Sequence, residues 1–183
     1  MRRFAAGLLF LTGGAVAGAV SAFVAIQNAG VVKLGGDGPW LSRIEARGGA
    51  AGIYVQSYYL LAGRLPAAPG HIEEATAERD SQGQALSASC VYAIVSTGAL
   101  PQWWSLATLS SSNAMDTRQS VMDAATAVRG PGGIMEITAA RSPQTGNWLK
   151  LPEVRQFSFL YLATPGAGRT AEKPPFRIER RGC

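Results

Sequence analysis

Glu73, Glu74, Glu78 and Asp80 form the main acidic cluster of the chain, and carboxylates grouped in this way are the residue type that holds calcium or performs acid–base work. Their spacing around the start of an extended run, ahead of an Asp80-Ser81-Gln82-Gly83 turn, fits a solvated face better than a convergent pair. His71 is the single histidine and sits in Pro69-Gly70-His71, a turn, where a solvated loop histidine is expected rather than a general base. One histidine cannot build a multi-histidine metal site. The nucleophile elbow G-x-S-x-G, H-E-x-x-H, the P-loop and G-x-G-x-x-G are all absent. Gly130, Gly132 and Gly133 read as turn residues. No cofactor and no metal are expected, and catalysis is not the favoured class.

Aromatic residues give the better pointer. Trp103 and Trp104 are adjacent, and neighbours on a strand face opposite sides. One of the pair is therefore expected in the core and the other at the surface. With Trp148 they mark a candidate binding surface, since indoles stack on sugars and line interfaces. Nucleic acid is not the expected partner. The net charge of +5 falls largely at the two ends of the chain, and aromatic and basic residues do not interleave. The basic tail from Arg169 reads as a solubilising end.

These residues need elements to position them. The chain has 183 residues, 47% of them hydrophobic and 16% charged, enough for one packed domain plus an appendage. Arg2 and Arg3 precede an uncharged stretch from Phe4 to Ile26, which as a helix covers roughly 35 Å against a hydrocarbon core of about 30 Å. A retained bilayer anchor over residues 4–26 is expected. A signal peptide cleaved near Ala19 to Ala22 is the alternative, and the apolar run through Phe23, Val24 and Ile26 is longer than that needs. Arg2 and Arg3 favour a cytoplasmic N-terminus, although Lys33 and Arg43 lie near the far end. Gly14 and Gly18 form a G-x-x-x-G spacing that allows helix packing in a homodimer.

Residues 27–48 read as a glycine-rich linker in which Trp40 is the one aromatic residue. Ala50, Ile53, Tyr54, Ser57, Tyr58 and Leu61 recur at helical spacing and predict one helix ending near Gly63. Beyond Glu73 the period approaches two. Leu86 to Val95, Trp103 to Leu109, Ile134 to Ala139 and Phe157 to Ala163 read as strands between turn signals, and Ser120 to Val128 is ambiguous. Strands without regularly interposed helices predict a mainly β fold, an antiparallel sandwich or roll over residues 49–183 with one packed helix, preceded by the transmembrane helix.

The ordered series of motifs resembles the bacterial domain-of-unknown-function family 1214 in its short, membrane-anchored form. The residues that carry the likeness are Tyr54, Gly63-Arg64-Leu65-Pro66, Glu74-Ala75, Asp80 to Leu86, Cys90-Val91-Tyr92 and Trp104-Ser105-Leu106. Asn113, Gly132 to Thr138, Asn147-Trp148-Leu149 with Pro152, Phe157 to Tyr161 and a terminal Cys183 complete it. The chain departs from the pattern at Lys150, Ala114 and Gln119. The resemblance implies a jelly-roll-like β-sandwich and supplies no reaction. It also implies a Cys90–Cys183 disulfide, which belongs in an oxidising compartment and would place the domain in the periplasm.

The leading expectation is a non-catalytic binding or envelope-assembly module. It would present Trp103 or Trp104, Asn147 and Trp148 to a periplasmic protein or a glycan. The alternative is an envelope enzyme acting on a carbohydrate or lipid-linked substrate through Glu74 and Asp80.

Overall fold

The computed structural model describes residues 2–33, 38–43, 49–65, 71–110, 120–165 and 174–183. The chain divides into two compact units. The first comprises residues 1–31 and 44–65 and contains helices α1 (Arg2–Asn28) and α2 (Gly49–Leu61). Within α1 the run Leu9–Asn28 has a mean hydropathy of 2.0, long and apolar enough to cross a bilayer. A signal sequence would meet the same test. Helix α2 ends where Gly63 takes a positive φ of 62°, a conformation without side-chain penalty only for glycine. The helix that the sequence reading joins to the sandwich thus groups with α1.

Among the described residues ten short strands form two sheets, all but Val31 of them in the second unit. They are β1 (Val31–Lys33), β2 (Trp40–Arg43), β3 (Glu73–Ala77), β4 (Val91–Ser96), β5 (Trp104–Ser110), β6 (Val121–Asp123), β7 (Glu136–Ala140), β8 (Trp148–Lys150), β9 (Phe157–Ala163) and β10 (Phe176–Gly182). One sheet has the order β1-β2-β3-β9-β5-β6 and the other β10-β4-β7-β8. The pairs β2–β3, β3–β9, β9–β5, β5–β6, β10–β4 and β4–β7 are antiparallel, and β7 with β8 is parallel. The mainly β, sandwich-like fold read from the sequence is therefore what the chain adopts.

Alternation explains the sandwich. Along β9 every second residue is buried, so Phe157, Phe159, Tyr161 and Ala163 face one core while Ser158, Leu160 and Leu162 face away. Tyr92, Ile94, Ile137, Leu149, Phe176 and Ile178 of the smaller sheet join the same cluster. Tyr92 stands edge-on to Phe157 and Phe159, and Phe176 edge-on to Trp104 and Tyr161. Trp40, the one aromatic residue of the expected linker, is wholly buried and donates its indole N–H to the Phe176 carbonyl at 2.8 Å. That stretch supplies β1 and β2, and Ser120 to Val128 resolves into β6 followed by a turn.

Tyr161 is a core residue with an ionisable end. Burial, with the Glu73 carboxylate adding to it, pushes its ionisation well above the ordinary range. A raised value means that the neutral phenol supports the fold below pH ~10 and that this support is lost as pH rises through the folded value. In an absorbance titration near 295 nm, Tyr161 should ionise only together with unfolding, and Tyr161→Phe should abolish that late step.

Candidate functional site

The acidic residues separate. In β3, Ala75 and Ala77 face the core, so Glu74 lies on the opposite face. Asp80 is buried, 1% exposed, and acts inside the fold. Its Oδ1 accepts the backbone N–H groups of Gln82 at 3.1 Å and Gln84 at 2.8 Å, and its Oδ2 lies 3.1 Å from an Arg180 guanidinium nitrogen. Arg180 also donates to the Ala85 carbonyl and stacks 5.5 Å from the Tyr92 ring centroid. The neighbouring Ser81 exchanges main-chain and hydroxyl bonds with Ile178: its N–H donates to the Ile178 carbonyl, and its Oγ accepts the Ile178 N–H. The Asp80-to-Ala85 turn therefore clasps the free edge of β10 and covers groups that would otherwise recruit another strand. Glu74 on the outer face of β3 and Asp80 inside the fold thus lie in different settings, and His71 is exposed in its turn.

The tryptophan pair divides as alternation requires. Trp104 is fully buried and packs against Phe176, so it serves the core and no surface. Trp103 is 41% exposed at the head of β5. Trp148 is half-buried in β8 and donates its indole N–H to the Ala140 carbonyl at 3.0 Å. The two accessible indoles thus belong to different sheets. Asn113, Ala114, Gln119 and the tail from Arg169 to Lys173 lie outside the described residues.

Asn147 is the organising residue. Its side-chain oxygen accepts the Val128 N–H at 2.7 Å, and its amide nitrogen donates to the carbonyls of Val128 at 2.6 Å and Glu136 at 2.9 Å. A primary amide suits this task because it accepts on one side and donates on the other. The result is a staple that fixes the loop after β6 against the start of β7. Asp123 shapes the beginning of that loop by accepting the N–H groups of Ala125 and Thr126 and the Thr126 hydroxyl. These bonds, the Thr126 hydroxyl foremost, lower the Asp123 carboxyl below its ordinary value. Glycines at 132, 133 and 146 adopt positive φ and turn the chain around the same place.

Around the staple lies an open cleft of about 450 Å³. Val128, Pro131 and Ile134 form an apolar rim, and Arg129, Glu136 and Thr145 add polar groups. Val128 is 71% and Ile134 54% exposed, and with Pro131 they put three apolar side chains on one rim. Asn147 builds the wall, and its amide is already engaged with backbone. The rim residues escape sequence reading because isolated apolar residues among glycines resemble an ordinary turn.

Asn147→Ala should hand the Val128 N–H and the Val128 and Glu136 carbonyls over to water and destabilise the sandwich by about 1 kcal/mol. Hydrogen exchange at the Val128 amide should accelerate more than at amides in β9. Equal acceleration at both sites would contradict a local staple.

Comparison with known proteins locates this architecture. Residues 73–164, from β3 through β9, match the family model described as "Protein of unknown function (DUF1214)". The chain belongs to that family. Among solved structures it is similar to the VPA0106 protein from Vibrio parahaemolyticus, with 18% identity and a TM-score of 0.54 over 72% of this chain and 35% of that one. It is also similar to an uncharacterised protein from Burkholderia cenocepacia, with 22% identity and a TM-score of 0.46 over 63% of this chain and 31% of that one. The chain spans about a third of the length of each. Comparison with proteins of curated function finds no match. The family and the Vibrio structure agree on the fold and carry no activity to this chain.

Proposed function

We propose that this family member is a single-pass protein of the bacterial inner membrane whose sandwich lies in the periplasm. There it acts as a non-catalytic binding or envelope-assembly module. The cleft organised by Asn147 carries the reading: a preformed, open depression with an apolar rim and a few polar groups is suited to a segment of a partner protein or a glycan. Trp148, next in the chain to Asn147, extends the surface, and Trp103 is a further contact.

Two features support the placement. Helix α1 is apolar over a bilayer-spanning length, and Arg2 and Arg3 precede its apolar run. Cys90 and Cys183 are joined by a disulfide, a bond that persists in an oxidising compartment.

The test is in-cell crosslinking of the full chain in three forms: unaltered, Ile134→Glu and Trp148→Ala. Ile134 is exposed, so a charge there should leave the fold intact while opposing an apolar contact. Loss of a defined crosslinked species in Ile134→Glu, with the disulfide retained, is the expected result. Unchanged crosslinking in both variants would remove the cleft from the proposal.

A further inference from the structure

Helix α2 presents two faces. Gly52, Val55 and Tyr59 lie on its buried side. The opposite side shows Leu60 at 78%, Ile53 at 65% and Leu61 at 49% exposed, with Leu65 just beyond the helix at 88%. A helix facing water carries charged or polar side chains on such a face. Here no charged residue occurs between Gly49 and Gly63.

Two observations indicate what covers this face. First, α2 belongs to the same compact unit as α1. Along α1 the described side chains from Leu9 to Ala25 are all exposed, and only Ile26, near the C-terminal end, is half-buried. The contact between the helices therefore falls near the end of the apolar span, at the depth where hydrocarbon gives way to headgroups. Second, the residues of α2 suit that layer. Tyr54 is exposed and Tyr58 half-buried, and tyrosines concentrate at membrane interfaces. Arg64 closes the segment with its guanidinium 5.9 Å from the Tyr59 ring centroid, and a basic residue at the end of an apolar helix suits the headgroup layer. Thirteen residues are too few to span a bilayer, so the helix lies along it.

We propose that α2 is an interfacial helix whose Ile53, Leu60 and Leu61 contact lipid, so that the protein holds the membrane by a span and a foot. This rests on the reading of α1 as a membrane span.

The experiment places p-benzoylphenylalanine at one of four positions in the full chain: Val16 in α1, Ile53 or Leu60 in α2, and Gln144, an exposed site in the sandwich. Each protein is reconstituted in nanodiscs of phosphatidylethanolamine with a minority of phosphatidylglycerol, irradiated and weighed by mass spectrometry. Retention of the disulfide confirms that each variant has folded. Lipid-mass adducts at Val16, Ile53 and Leu60, with none at Gln144, are expected. Lipid adducts at Val16 alone would overturn the interfacial foot and leave the anchor standing. Adducts of Leu60 to a second copy of the chain would overturn it equally, giving this face to a protein contact. Absence of lipid adducts at all four positions would overturn the anchor, and the foot with it.

Discussion

Replacing Cys90 and Cys183 together by serine should lower the stability of the sandwich by about 4 kcal/mol. The bond joins residues 93 apart in sequence, so its loss frees a large loop in the unfolded chain. It also sits at a sensitive place. Cys90 immediately precedes β4 and Cys183 immediately follows β10, and the last pairing between those strands is Val91 with Gly182. Without the bond, the end of an edge strand bearing Arg177, Arg180 and Arg181 is left to pairing on one side and the Ser81 clasp on the other. Urea unfolding of the full chain in detergent, followed by tryptophan fluorescence, should show a midpoint well below that of the oxidised protein. Reductant should reproduce the loss in the unaltered chain and change nothing in the double variant. A loss below about 1 kcal/mol would mean that strand pairing alone holds β10.

Asp80→Ala should cost nearly as much, about 3–4 kcal/mol, because it removes one partner of a largely buried ion pair and leaves the other. The Arg180 guanidinium would keep only the Ala85 carbonyl and the Tyr92 ring, and the N–H groups of Gln82 and Gln84 would lose their acceptor. The physical signature is the double variant. Asp80→Ala combined with Arg180→Met removes both charges, and should recover a substantial part of the loss because the uncompensated cation is gone. Strict additivity of the two single effects would show that the pair is not coupled. An enzyme using Asp80 as an acid or base would instead lose activity without losing stability.

Of the strands that could be read in advance, the one whose burial alternates throughout was placed to the residue. Phe157 to Ala163 alternates apolar core residues with outward ones, and its extent matches β9. Strand β10 was hidden because Arg177, Glu179, Arg180 and Arg181 dilute an alternation carried by only Phe176 and Ile178. Trp40 sits among glycines that signal a linker, and its burial depends on the Phe176 carbonyl, 136 residues away in the chain. Such long-range partners leave no local pattern. The adjacency of Trp103 and Trp104 was informative because pleating forces them apart, whereas the role of Asn147 depends on backbone groups of Val128 and Glu136 that carry no sequence signal. Helix α2 was legible as a helix, but the identity of its neighbour was not, since apolar spacing looks the same against a sheet, a helix or a lipid tail.

The proposed placement puts the sandwich outside the cytoplasm, where the Cys90–Cys183 bond would persist. The most direct measurement traps thiols in growing cells with a membrane-permeant maleimide under acid quench, before any reductant, and then weighs the full chain. No added maleimide mass is predicted, with two thiols appearing only after reduction. Two maleimides on the folded protein taken directly from cells would contradict both the bond and the compartment assigned through it.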